Sequence, residues 1–151
     1  MKETTLCYIE NNNCYLMLHR IKKKNDANKN KWIGIGGKIE KGESPADCIE
    51  REIAEETGLE VNSLKYRGLV NFVSDIYEDE IMHLFTASAE CADFLPCNEG
   101  ELKWIPKNEV LSLNLWEGDK VFLEYLLNDI ADFFTLSLIY KGESLANVIK
   151  E

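Results

Sequence analysis

Residues 37–59 read Gly37-Lys38-Ile39-Glu40-Lys41-Gly42-Glu43-Ser44-Pro45-Ala46-Asp47-Cys48-Ile49-Glu50-Arg51-Glu52-Ile53-Ala54-Glu55-Glu56-Thr57-Gly58-Leu59, and the stretch contains a helix with both ends marked. Ser44 is a good N-cap, and Pro45 falls at the first helical position, where a missing N–H costs nothing. Asp47 gives a capping-box-like spacing, and Gly58 can take the left-handed conformation that closes a helix. These signals predict a helix over residues 45–57. Ile49 and Ile53, at i and i+4, give it a core stripe, helped by Ala46 from the turn before. Glu52, Glu55 and Glu56, at i, i+3 and i+4, project from one face. Like charges at that spacing repel by a few tenths of a kcal/mol per pair. The cluster is therefore either a solvated face or one compensated by a cation.

Working outward, Thr4–Ile9 and Cys14–His19 alternate in polarity around the turn-forming Asn11-Asn12-Asn13, as a hairpin does. A polar loop, residues 21–31, leads to a short strand from Trp32 to Gly36, where Gly36-Gly37 opens a backbone path closed to other residues. Downstream, residues 66–74, 81–89 and 102–105 read as sheet strands. Pro106 breaks the chain, residues 110–115 connect, and residues 120–130 repeat apolar side chains at helical spacing. Residues 133–140 are β-like, and beyond Gly142 a last helical scrap is expected to fray. With no internal repeat and no linker, residues 1–151 are expected to form one mixed α/β domain.

At 151 residues the chain can bury roughly 70% of its unfolded surface. A net charge of −10 argues against general binding to nucleic-acid polymers, which needs a broad basic face. The basic residues nevertheless gather between Arg20 and Lys41, where a positive rim would attract a small polyanion, unless the segment is simply a solvated loop. No apolar run reaches the roughly 20 residues of a membrane span, and the N-terminus is unlike a signal peptide, so the cytoplasm is the default location. Five cysteines without paired short spacing suggest free thiols rather than disulfides or a zinc site. His19 and His83 stand alone and read as strand residues.

Gly37, Glu43, Arg51-Glu52-Ile53, Glu55-Glu56 and Gly58-Leu59 match the Nudix box, glycine-x5-glutamate-x7-arginine-glutamate-aliphatic-x-glutamate-glutamate-x-glycine-aliphatic, at every defined position. The chain thus resembles the Nudix hydrolases. The resemblance implies their fold, an α/β/α sandwich with a central mixed sheet and a catalytic loop-helix-loop. It also implies hydrolysis of a nucleoside diphosphate linked to another group, with Mg²⁺, or Mn²⁺ in its place, as cofactor. A carboxylate ridge suits Mg²⁺, which takes oxygen ligands and keeps several waters. By the same resemblance Glu55 and Glu56 are the core metal ligands, and Glu52 is a further ligand or orients the water. The Gly36 carbonyl is a further candidate, Arg51 orients a motif glutamate, and Glu43, Gly37 and Gly58 brace the loop-helix-loop. Lys38 and Lys23 are expected at a phosphate. Glu99 is expected to support the metal or act as general base, with Glu101 as competitor.

The approach strand from Lys31 to Lys38, Phe72 in a later strand, and Leu115-Trp116-Glu117-Gly118-Asp119 resemble the MutT-type triphosphatases that remove oxidised purine nucleotides from the pool and so spare DNA repair. That likeness implies hydrolysis of substrates such as 8-oxo-dGTP to the monophosphate and pyrophosphate. Trp32, Phe72 and Trp116 would supply flat apolar surface and Asp119 a polar group, its pKa raised if the pocket is apolar. Alternatively Trp116 is core and Asp119 caps the second helix. Two features depart from the animal enzymes: Gly118-Asp119 replaces a pair of aspartates, and Ile33 stands where they carry asparagine. ADP-ribose, dinucleoside polyphosphates and ordinary nucleotides stay open as substrates, as does a non-catalytic binding module. The partner is expected to be a small nucleotide, with no membrane, and the protein a monomer or homodimer.

Overall fold

The computed structural model describes residues 1–130 and 132–151. Nine strands and two helices follow in the order β1 (Lys2–Asn11), β2 (Cys14–His19), β3 (Trp32–Ile33), β4 (Ile35–Lys38), α1 (Pro45–Thr57), β5 (Asn62–Ser74), β6 (Glu80–Ser88), β7 (Glu101–Pro106), α2 (Glu117–Leu127), β8 (Phe134–Lys141) and β9 (Ser144–Lys150). A 3₁₀ turn, Lys107–Ser112, fills the connection before α2. The strands form one mixed sheet of order β3-β2-β1-β6-β5-β8-β9, with β4 on β1 and β7 on β2. The pairs β1/β6 and β5/β8 are parallel and the others antiparallel.

Strand alternation sorts the core into two layers. Leu6 and Tyr8 of β1, Met17 of β2 and Leu84 of β6 pack with Phe122, Leu123 and Leu126 of α2. Their neighbours Cys7, Ile9, Leu16 and Phe85 pack with Ile49 and Ile53 of α1. The helices therefore cover opposite faces of the sheet, as an α/β/α sandwich requires. The β1–β2 turn passes through Asn12 and Asn13, with φ of 49° and 62°, a left-handed pair that asparagine tolerates.

Helix α1 has the bounds and caps its sequence implies. Ser44 accepts from the Asp47 N–H, and Gly58, at φ 70°, donates to the Ala54 carbonyl. Ala46 departs from expectation: it is exposed, and Cys48, one step round the helix, is buried beside Ile49 instead. The expected strand from Trp32 to Gly36 is divided at Gly34, where a Cβ would lie 2.7 Å from the Cys7 carbonyl oxygen. Helix α2 starts at Glu117, three residues before the first apolar repeat, with Trp116 at its N-cap and no side-chain cap bond. Asp119 therefore lies within the helix and does not cap it.

The last helical scrap is a correction. Residues 144–150 are strand β9, which runs back along β8 through a turn at Gly142, φ 62°. Both faces of this edge strand are largely exposed, so it carries no polarity alternation. Leu145, Val148 and Ile149 fall by chance at helical spacing.

Candidate active site

The loop before α1 closes on itself. Glu43 N–H donates to the Glu40 carbonyl at 3.0 Å, and a Glu43 carboxylate oxygen accepts from the Glu40 N–H at 2.9 Å. The guanidinium of Arg51 then ties loop to helix. It donates twice to Glu43, from Nε at 2.7 Å and Nη2 at 3.0 Å, a bidentate pairing that only arginine supplies. Nη1 donates to Glu52 at 2.8 Å and Glu55 at 3.3 Å, and Nη2 also reaches the Lys38 carbonyl at 3.3 Å. These bonds from Arg51, with the Glu40 N–H, hold the Glu43 carboxyl down at about 2, while Glu43 raises the pKa of Arg51 in turn.

The three glutamates stand in different surroundings. The Glu55 side chain is 60% exposed, Glu52 only 15%. Glu56 is buried, and its Oε2 has no hydrogen-bond partner. Burial, the hydrogen-bonded Glu99 carboxylate and the nearby Glu52 charge push Glu56 up to about 9. Burial also raises Glu52, against the pull of Arg51. For Glu99, desolvation is the largest influence and acts upward, but the hydrogen bond from Glu56 and the charges of Arg20 and Lys23 carry it below the usual range. Arg20 lies 3.5 Å and Lys23 3.3 Å from the Glu99 carboxylate. Glu99 thus joins the motif carboxylates, whereas Glu101 is exposed at the start of β7 opposite His19.

Among the described residues no three Asp, Glu, His or Cys side chains converge as a ready-made metal cluster. The donor set nevertheless fits a hard cation, since Glu56 presents a buried oxygen with no partner and neighbours that are all carboxylates. Mg²⁺ takes oxygen ligands and leaves much of its shell to water and phosphate. Gly37 makes room for this set: a Cβ there would lie 2.6 Å from the Glu52 carboxyl.

A cavity of about 370 Å³ opens on the α2 face, with Gly36, Gly37 and Lys38 forming part of its wall. Phe72, Trp116, Met82 and Tyr140 provide apolar and aromatic lining, and Asp119 and Glu80 provide carboxyls. The Trp116 ring is held by a 2.8 Å hydrogen bond from Nε1 to Asn28, an edge contact with Tyr140 and the Lys31 ammonium above its face. Asp119 is 5% exposed. Burial, then the Glu80 charge, raise its pKa to about 8, with Lys31 only partly opposing. Gly118 has no space for a side chain, since a Cβ would lie 2.7 Å from both Leu138 Cδ1 and the Tyr140 hydroxyl. Its N–H donates to that hydroxyl at 2.6 Å.

Not every expected contact residue meets this cavity. Trp32 lies outside its lining, its ring stacked on His19 at 4.4 Å, and Ile33 takes the place at the wall. Lys23 also lies outside the lining and pairs with Glu99. Tyr77, Glu78 and Glu80 are cavity residues that sequence reading missed. Glu80 is brought there by the β5/β6 register, opposite Phe72, which no local sequence signal announces.

Residues 2–126 match the NUDIX domain, and the chain belongs to that family of hydrolases. It is 26% identical over 132 residues to the uncharacterized Nudix hydrolase YvcI of Bacillus subtilis, covering 84% of this chain and 80% of that protein. It is 30% identical over 107 residues to the oxidized purine nucleoside triphosphate hydrolase of Mus musculus, 70% and 68% of the two chains. Among solved structures, the MutT protein of Bacillus halodurans superposes with a TM-score of 0.87 at 25% identity, over 100% of this chain and 98% of that one. The mixed sheet between helices is thus the Nudix fold, and the acid-bearing helix carries the family's sequence motif.

Proposed function

We propose that this protein hydrolyses purine nucleoside triphosphates, with oxidised purines such as 8-oxo-dGTP preferred, to the monophosphate and pyrophosphate. The observation that supports this most is the continuity of an aromatic cavity with the motif: Phe72 and Trp116 line the same space as Gly36, Gly37 and Lys38. A base between those rings places its phosphates along the Gly36–Lys38 strand, toward Glu52, Glu55 and Glu56. Those three carboxylates, with the Gly36 carbonyl and Glu99 as further donors, would hold Mg²⁺ or Mn²⁺. When bound, the ion neutralises phosphate charge and makes water a better nucleophile.

The chain's own groups do the rest. Water adds to an inner phosphorus, its proton passes to Glu52 or Glu99, and the bond to the departing pyrophosphate breaks. Arg51 keeps Glu52 aimed, and Lys38 faces the phosphates. Asp119, neutral near pH 7 by virtue of its burial, can donate one hydrogen bond to the base and accept another. A site built on such bonds rejects bases that lack the matching groups. The Mus musculus relative, named for oxidised purine triphosphates, supports the same reading.

Pyrophosphate release from 8-oxo-dGTP and dGTP, with ADP-ribose and a dinucleoside polyphosphate in the same panel and a chelator control, tests this. The expected result is a kcat/KM for 8-oxo-dGTP at least about tenfold above dGTP, lost in chelator and in Glu56→Gln. Equal turnover of the two nucleotides rejects the oxidised-purine preference, and faster cleavage of ADP-ribose assigns the site to that substrate.

A further inference from the structure

We propose that Glu80 is a specificity-determining residue of this site, its carboxylate accepting a hydrogen bond from the exocyclic 2-amino group of a guanine-type base. The inference rests on the nucleotide reading above and adds the group by which one purine is told from another.

Glu80 opens β6, opposite Phe72 of β5 on one side and Lys2 of β1 on the other. Strand alternation places it on the face of Met82 and Leu84, the face that carries the cavity. Its carboxylate is held from behind. Thr4 Oγ1 donates to Oε2 at 2.5 Å and the Lys2 ammonium lies 3.6 Å from Oε1, leaving the side chain 24% exposed. A carboxylate has about four acceptor sites, so two partners leave it able to accept from a ligand.

Asp119, on α2, is another carboxyl of the same cavity, and after burial the Glu80 charge is the next influence disfavouring charge on it. With Asp119 holding a proton and Glu80 keeping free acceptor sites, the two carboxyls beside Phe72 and Trp116 present one donor and several acceptors to a ligand. A guanine-type edge brings a carbonyl acceptor, a ring N–H and an adjacent amino group in a row. A neutral Asp119 satisfies the first two, donating to the carbonyl and accepting from the ring N–H, and Glu80 takes the third. An adenine-type edge offers only one amino group and no carbonyl. The adjacent position on α2 cannot supply the second acid, because Gly118 is closed in by Leu138 and Tyr140.

The test compares wild type and Glu80→Met on triphosphates with and without the amino group: 8-oxo-dGTP against 8-oxo-2′-deoxyinosine triphosphate, and dGTP against dITP. A hydrogen bond to a charged group corresponds to roughly 10- to 100-fold in kcat/KM. Glu80→Met, which removes the acceptor at similar length, should lose about that much on the amino-bearing member of each pair and under about threefold on the other. Asp119→Leu, which removes both the donor and the acceptor, should weaken both. Calorimetric Kd values for the product monophosphates repeat the comparison without turnover. Equal loss on both members, or none on either, overturns the assignment, as does a wild type indifferent to the amino group, which needs no variant. A wild type that shows the amino dependence but treats 8-oxo-dGTP and dGTP alike rejects the oxidised-purine preference while leaving Glu80 in place.

Discussion

Replacing Asp119 with asparagine should flatten the pH dependence of stability. In the folded protein burial moves this carboxyl from 3.8 to about 8, so between those values the native state holds a proton that the unfolded chain has released. Stability linked to Asp119 is therefore complete below about pH 4 and is lost as pH rises toward 8. Three pH units, from 5 to 8, at about 1.4 kcal/mol per unit give a ceiling of roughly 4 kcal/mol. For a domain of this size that is on the order of 8–16 °C in Tm. Water entering the cavity lowers the figure, and a drop of about 5 °C is the expected minimum. The assay is thermal melting at pH 5, 6, 7 and 8 in chelator at constant ionic strength, for wild type and Asp119→Asn. Other titrating groups are common to both, so the difference between the curves isolates Asp119. The wild type should lose ground steadily, and the variant should be the more stable at pH 8. Parallel curves over this range would refute a buried, proton-holding Asp119.

Arg51→Lys should lower stability by about 1–3 kcal/mol and depress hydrolysis, because an ammonium cannot span Glu43, Glu52 and Glu55 together; melting and steady-state kinetics check both. Gly37→Ala pushes a methyl group into the Glu52 carboxyl and should cost at least about tenfold in kcat with little effect on KM. An unchanged kcat in the Gly37→Ala protein would show that Glu52 needs no fixed position.

Much of this architecture was legible because local signals and packing agree. Helix α1 carries its own ends in Ser44, Pro45 and Gly58, and Ile49 and Ile53 mark its buried side. What escaped was decided by contacts distant in sequence. β9 is defined by pairing with β8 rather than by burial, so residues 144–150 show no strand period. Helix α2 begins through a glycine, which propensity disfavours, because only Gly118 lets the helix approach Tyr140. At the site, the box positions could be named from the resemblance to the Nudix motif, but the pairing of buried Glu56 with Glu99 depends on where the loop before β7 folds back. Glu80 stayed hidden because nothing near it in sequence indicates that Phe72 is its neighbour. Trp32 misses the cavity lining because its ring is taken up by stacking on His19 across the β2/β3 pair, a contact its neighbours in sequence do not announce.

The two faces of the sheet also divide the labour of the enzyme. On the proposed reading the bond-breaking groups sit with α1 and the base-facing groups on β5, β6 and α2, with Gly36, Gly37 and Arg20 between them. If the proposed roles hold, substitutions at Phe72, Glu80 or Trp116 redirect the protein to another nucleotide while its hydrolytic apparatus stays intact. A lineage built this way can change its diet one residue at a time, and the glycine strand is the part it has least freedom to alter.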